Sequence, residues 1–565
     1  MQEISRRRFL DLGARTTAVL GAGRLLGFPG LTGAEPMAAS GATQAIDAFV
    51  NRHIRERGAP GLILGLADRD RVLAARSYGH RDVKTGQPIE PGDLFEIGSI
   101  TKSFIAISLL QLREAGKLDL GRPIREYLPW LRIESSYAPI TVHHLLTHTS
   151  GLPNALALTG IPLWTGHAPG EHFHYCNLGY DILGRLLETL DGRKIKEILP
   201  ARIFQPLGMA ATWPVISHDL RPSTPVSYWP LYDDRPFQRH GPLTEAPYLA
   251  MDNTAGCIVS TAGDMALYMR MLLNRGRGPK GPVISEESFA LFSKPAIPAP
   301  SFGEGAGYGY GIAIQPVEGR TLLRHTGGMV SFCSAMQVDL DAGFGAFASV
   351  NASLAGYRPN PVAAYSLAAL RADRDGKSMP PMPEPDDPYK QPNAAEYAGT
   401  YTAPDGRKLV LSAEGDLLRL AWAGESIPLE RIAPDTFIVS HPDFALFALG
   451  FGRDGKGAIV EASYGADWYA GERYAGPRTF EAPAAWQAFA GHYRNDSPWE
   501  GSARIVLRNG RLWAGGDTPL VPLGADLFRI GDEDHSPDRA RFGNIVNGRA
   551  LVATFNGVEY RRIET

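Results

Sequence analysis

Gly98-Ser99-Ile100-Thr101-Lys102-Ser103-Phe104-Ile105-Ala106-Ile107-Ser108-Leu109-Leu110-Gln111-Leu112 sets a serine and a lysine three residues apart at the head of an almost wholly apolar run. Phe104, Ile105, Ala106, Ile107, Leu109, Leu110 and Leu112 leave almost no polar stripe, which predicts a buried helix. On that helix Ser99 and Lys102 lie on one face, one turn apart, with Ser99 at the positive end. A serine hydroxyl becomes a useful nucleophile only when a neighbour removes its proton. Burial in an apolar setting disfavours a charged amine, so Lys102 is a candidate base near neutral pH. Gly98 suits the tight turn that must precede the serine.

Two later segments complete a possible site. Tyr175-Cys176-Asn177 offers a phenol and a carboxamide. Tyr175 is a candidate second proton carrier if Lys102 or another cation lowers its pKa from roughly 10. Asn177 has both a donor and an acceptor with which to grip a substrate amide. His325-Thr326-Gly327-Gly328 is expected to open a strand that pairs with an extended substrate, with the Gly328 N–H facing the acyl oxygen. Together with the Ser99 N–H it would form an oxyanion hole. Each segment alone is common; the three in this order are not.

With these motifs the chain resembles the penicillin-recognising serine hydrolases: class C β-lactamases, DD-peptidases, related esterases and D-aminopeptidases. Ile140 to Pro153, Ile203-Phe204-Gln205-Pro206-Leu207-Gly208-Met209 and Ala255 to Met265 match that family too, and the resemblance covers roughly residues 43–372. It implies Ser99 as nucleophile, Lys102 and Tyr175 as the proton-moving pair, Asn177 as a substrate ligand, and His325, Thr326, Gly327 and Gly328 as the substrate-binding strand. The β-lactamases mostly carry lysine where this chain has His325. Histidine is mostly uncharged at pH 7, and its presence resembles D-aminopeptidases, some DD-peptidases and esterases. The resemblance therefore implies a peptidase or amidase acting on D-residue-containing peptides. The alternatives are a short-chain esterase or weak β-lactamase, and a non-catalytic penicillin-binding cell-wall sensor. The expected partner is a small peptide, amide or ester, peptidoglycan-derived in the peptidase case.

The 565 residues exceed one core and suggest about three or four domains. A net charge of −3 gives no electrostatic case for nucleic acid. No mature stretch is long and apolar enough to span a membrane. Ser5-Arg6-Arg7-Arg8-Phe9-Leu10 with the apolar run after it resembles a twin-arginine export signal, so residues 1–40 are set aside and a periplasmic location is expected. Cys176, Cys257 and Cys333 read as buried thiols. His143, His144, His148, His172 and His174 lack a zinc-site spacing, and no cofactor or metal motif is present.

Residues 41–375 are expected to form a β-lactamase-like α/β (α+β) domain. A helix over 44–57, a hairpin of Leu62–Ala67 with Val72–Tyr78, a hairpin of Ser331–Leu340 with Phe344–Asn351, and a helix from a capping Asn360 to about Ala372 enclose an inserted helical region. The Pro-rich residues 376–392 read as a stiff linker. Beyond it, residues 393–475 and 484–565 are two copies of a small antiparallel β-barrel, lipocalin-like in form. Tyr397-Ala398-Gly399-Thr400-Tyr401 aligns with Phe489-Ala490-Gly491-His492-Tyr493, and Leu409-Val410-Leu411 with Ile505-Val506-Leu507. This layout resembles the three-domain D-aminopeptidases.

Overall fold

The computed structural model describes residues 40–154, 162–354 and 356–564; the expected export signal lies outside them. Helix α1 (Gly41–Arg57) starts where the Ser40 hydroxyl accepts the Thr43 N–H and stops at Gly58, whose φ of +64° suits glycine. Its apolar face, Ile46, Phe49, Val50 and Ile54, is buried.

The sheet beneath it has nine strands, each antiparallel to its neighbours: β1 (Gly61–Asp68), β2 (Val72–Asp82), β3 (Gln87–Pro88), β4 (Ile297–Pro298), β5 (Gly307–Tyr308), β6 (Ala313–Val317), β7 (Arg320–Gly328), β8 (Cys333–Asp339) and β9 (Phe344–Val350). The order across the sheet is β4-β5-β6-β7-β8-β9-β1-β2-β3. Chain-start and chain-end strands thus meet at β9-β1, as the two expected hairpins and their flanking helices require. The inserted region contributes α2 (Thr101–Glu114), α3 (Asn177–Asp191) and α4 (Ala262–Leu273), and α5 (Asn360–Arg374) closes the domain. Helices α1 and α5 share one apolar cluster with the sheet, while α2, α3 and α4 share the other. Gly65 of β1 lies against α4, where an added methyl would strike the Ala262 carbonyl.

Two expectations about this domain need correction. Asn360 is the first helical residue of α5 and not its cap. Its Oδ1 instead accepts from Arg324 Nη2 (3.2 Å) and Gln337 Nε2 (3.3 Å), so the side chain is drawn to the sheet. His325-Thr326-Gly327-Gly328 ends β7 and does not begin it, because pairing with β8 already runs from Leu322↔Asp339 to Gly328↔Cys333.

Residues 399–471 and 491–563 form two closed eight-stranded barrels, sealed by first-to-last pairs such as Tyr401↔Gly471 and His492↔Ile563. The repeat is visible in detail: Tyr401 donates to the Tyr397 carbonyl (2.9 Å) as Tyr493 does to that of Phe489 (2.8 Å). Gly399 pairs with Leu411 and Gly491 with Ile505. Ile505 is therefore the counterpart of Leu411, not of Leu409, because the first turn of the second barrel is longer. That longer turn carries Trp499, whose indole N–H reaches Met251 Sδ (2.7 Å) in the first domain.

The Pro-rich segment is strapped to the domain it leaves. Tyr365 donates to the Pro380 carbonyl (3.2 Å), and Asp386 pairs with Arg57 (3.0 Å) and Arg239 (2.8 Å). No helix among the described residues is long and apolar enough to cross a membrane.

Candidate active site

Ser99 sits in a single 3₁₀ turn, Gly98–Ile100, that feeds α2. Gly98 has φ +56°, and a methyl group there would lie 2.7 Å from the Gly328 nitrogen and 2.9 Å from Gly327 Cα. Glycine is thus what lets the Ser99 turn press against the end of β7. The turn is pinned from several sides. Ser334 of β8 donates to the Ile97 carbonyl (2.8 Å), the Ile258 N–H to Thr101 Oγ1 (3.2 Å), and Tyr268 of α4 to Ser103 Oγ (2.8 Å).

Lys102 is completely buried, at 0% exposure. Its Nζ lies 2.9 Å from Ser99 Oγ, 2.8 Å from Asn177 Oδ1 and 2.8 Å from the Ala255 carbonyl. Burial brings its pKa down to about 7. The neutral amine has two hydrogens and one lone pair. Two partners, Asn177 Oδ1 and the Ala255 carbonyl, can only accept; they take the hydrogens and leave the lone pair facing the Ser99 hydroxyl. That is the geometry of a general base on a serine.

Tyr175 closes the group from above, its ring 4.9 Å from Lys102 Nζ. Burial pushes its phenol above the ordinary range, while contacts with Ser99 and Arg358 act the other way. The condition set for a phenolate, a pKa lowered by a nearby cation, is not met: Tyr175 stays protonated and is suited to passing a proton along. His148 lies beside it with ring centroids 4.2 Å apart and tilted by 34°, its Nδ1 accepts the Cys176 N–H (3.0 Å), and its carbonyl accepts the His174 N–H (2.8 Å). Burial lowers the His148 pKa well below normal, so it orients the Tyr175 segment as a neutral ring.

The structure brings Ser99, Lys102, Tyr175, Asn177 and the end of β7 into one cleft. His325 is there too but is only 1% exposed, and burial brings its pKa down to about 3. Nδ1–H donates to the Thr326 carbonyl (2.7 Å) and Nε2 accepts from Tyr308 (2.9 Å), so both nitrogens are occupied. His325 thus supplies shape and no charge. Cys176 caps α3 by accepting the Gly179 N–H (3.2 Å), and burial pushes its thiol up to about 12.

Two residues that sequence patterns did not reveal also belong here. A methyl on Gly328 would collide with the Arg358 guanidinium, which bonds through Nη1 to Cys333 Sγ (3.3 Å) and the Tyr357 carbonyl (2.7 Å). No carboxylate among the described residues pairs with it. Thr326 and Gly328 share one face of β7 by strand alternation, and Arg358 stands against Gly328 on that face. The second is Asn154, whose Oδ1 accepts both the backbone N–H and Nδ2 of Asn177, each at 3.1 Å. Asn154 follows the Ser150-Gly151-Leu152-Pro153 stretch, but only the folded chain sets it against α3.

Residues 46–370 match the family described as Beta-lactamase. Among curated proteins the chain is 31% identical to the esterase EstB of Burkholderia gladioli over 196 residues, 29% of this chain and 49% of that protein. It is 27% identical to an uncharacterised protein of Mycobacterium tuberculosis over 333 residues, 49% of this chain and 82% of the other. The chain thus spans about half the length of the esterase. Among solved structures, the octameric penicillin-binding protein homologue from Pyrococcus abyssi is similar with a TM-score of 0.53 and 25% identity, over 75% of this chain and 99% of that one.

Proposed function

Because the chain belongs to the Beta-lactamase family and is a serine hydrolase of that kind, we propose that it cleaves an amide bond in a short D-residue-containing peptide, releasing a leaving group that carries a carboxylate. Lys102 takes the Ser99 proton as Ser99 attacks the carbonyl carbon. The oxyanion is met by the Ser99 and Gly328 N–H groups. Tyr175 gives its proton to the departing nitrogen and is reprotonated from Lys102. Water then attacks the acyl-enzyme by the same proton path in reverse.

The observation that carries this reading is Arg358, a cation with no acidic partner among the described residues, set against Gly328 at the end of the strand that would hold the substrate. His325 is held neutral, so Arg358, against Gly328, supplies a charge at this end of β7 that a peptide carboxylate could meet. The twin-arginine-like start supports export to the periplasm, where cell-wall peptides with such ends occur.

A turnover panel tests it: a peptide ending in D-Ala-D-Ala, the same peptide with a C-terminal amide, a D-alanine anilide, a cephalosporin and a short acyl ester. The free-acid peptide should exceed its amide by about ten- to a hundredfold in kcat/KM, the range of one charge-assisted bond. Arg358→Gln should erase that gap while leaving the amide-capped peptide unchanged. Turnover of the ester alone would favour the second reading, an esterase, which rests on the 31% match to EstB. Slow penicillin release with no turnover of any substrate would favour the sensor.

A further inference from the structure

The polarity of the groups around Lys102 decides where its lone pair points. The Ala255 carbonyl can only accept. Asn177 is ambivalent: its oxygen accepts an amine hydrogen, but turned by half a rotation its NH₂ would compete with the Ser99 hydroxyl for the lone pair. Asn154 removes the ambiguity. Its side chain faces the backbone N–H of Asn177, an obligate donor, so it must present oxygen there. That same oxygen then requires the NH₂ of Asn177 to face it, which leaves the Asn177 oxygen for Lys102.

Asn154 is in turn held by the second barrel. Its N–H donates to Asp538 Oδ1 (2.9 Å), its carbonyl accepts from Asn556 Nδ2 (2.9 Å), and that Nδ2 also donates to Asp538 Oδ1 (2.9 Å). The Arg539 N–H donates to Asn556 Oδ1 (2.9 Å), which fixes the orientation of that amide. The other Asp538 oxygen lies 3.4 Å from Nε2 of His174, the neighbour of Tyr175. Nearby, Trp164 donates to the Pro537 carbonyl (2.7 Å).

We propose that Asn154, Asp538 and Asn556 are positioning residues for acylation: the second barrel fixes the amide polarity of Asn177 and so aims the Lys102 lone pair at Ser99. The catalytic domain is then complete only with its C-terminal barrel docked. This assignment concerns the activation of Ser99 and holds whichever bond the enzyme cleaves.

The test is the rate at which a fluorophosphonate labels Ser99 in the full chain, followed across pH and beside the melting temperature. Asn154→Leu and Asp538→Ala should slow labelling about ten- to a hundredfold, the cost of a misplaced reacting group. Their acid limb should fall below that of the wild type, because the Asn177 oxygen no longer favours the charged amine. Asn154→Asp keeps an oxygen acceptor and should retain most of the rate, with its acid limb moved to higher pH by the added carboxylate. Arg494→Ala removes an ion pair to Asp233 (2.8 Å) at the same barrel interface, away from Lys102, and should change neither rate nor profile. Should Asn154→Leu fail to fold, the acid limb of Asn154→Asp decides; a limb left in place would overturn the proposal. A wild-type rate and profile in Asn154→Leu, or no greater loss in Asp538→Ala than in Arg494→Ala, would also overturn it. Equal labelling of Ser99→Ala would instead remove the site itself, and this inference with it.

Discussion

Lys102→Met is expected to lower kcat/KM about 10²–10⁴-fold on every substrate the enzyme accepts, the range of a lost general base. The methionine fills the same buried volume, so the fold should persist. The Ala255 carbonyl and Asn177 oxygen lose their donor, at about 1–3 kcal/mol for each group left unpaired. The pH profile supplies the sharper test. Burial brings Lys102 down from the ordinary 10.5 to about 7. Below that value the amine is charged and has no lone pair, so wild-type kcat/KM should rise tenfold per pH unit and level off above about 7. Tyr175 is pushed above its ordinary range and should add no alkaline limb within the working range. In Lys102→Met the limb near 7 should vanish together with the rate. A variant that kept a tenth of the wild-type rate, or a wild-type plateau beginning only near 10, would exclude Lys102 as the base.

How much of this was legible beforehand depended on whether the controlling contacts were local. The nearly unbroken apolar run after Ser99 is long enough for a buried helix, so α2 and the Ser99–Lys102 pairing followed from residues within one turn of each other. The barrels announced themselves through turn glycines and an internal repeat, though a longer first turn in the second copy shifted one alignment by two positions. Nothing local could have revealed the direction of the Tyr175 shift. Its burial comes from His148 and the end of β7, which are distant in sequence, and it outweighs the cations nearby. The role expected of His325 on the substrate-binding strand depended likewise on Tyr308, which occupies its free nitrogen. Arg358 and Asn154 sit in no motif. Their importance arises where a loop after β9 and a loop before α3 meet residues that the sequence had already marked. Asn360 shows the converse: its sequence position favoured a helix cap, but Arg324 and Gln337 offered its side chain better partners.

Gly98→Ala is expected to lower kcat/KM about 10²–10³-fold while leaving the acid limb near 7, because it harms the oxyanion site and spares the base. The new methyl would sit 2.7 Å from the Gly328 nitrogen and 3.0 Å from the Gly327 carbonyl carbon, well inside contact distance. The strand cannot yield. β7 is bonded on both sides, to β6 and β8, and Gly327 is already packed against the Ile97 carbonyl and Ser334 Oγ. The Ser99 turn must therefore retreat, separating the two N–H groups that would share the oxyanion. Helix α2 need not follow, since Thr101 and Ser103 anchor it to Ile258 and Tyr268. Lys102 thus keeps the Asn177 oxygen and the Ala255 carbonyl, and with them its titration. The φ of +56° adds a backbone cost of about 1–2 kcal/mol for a residue with a side chain, which should appear as a lower melting temperature. The pairing of a large rate loss with an unmoved limb separates this variant from Lys102→Met. Full activity in Gly98→Ala would mean that the amides of Ser99 and Gly328 do not jointly stabilise the transition state.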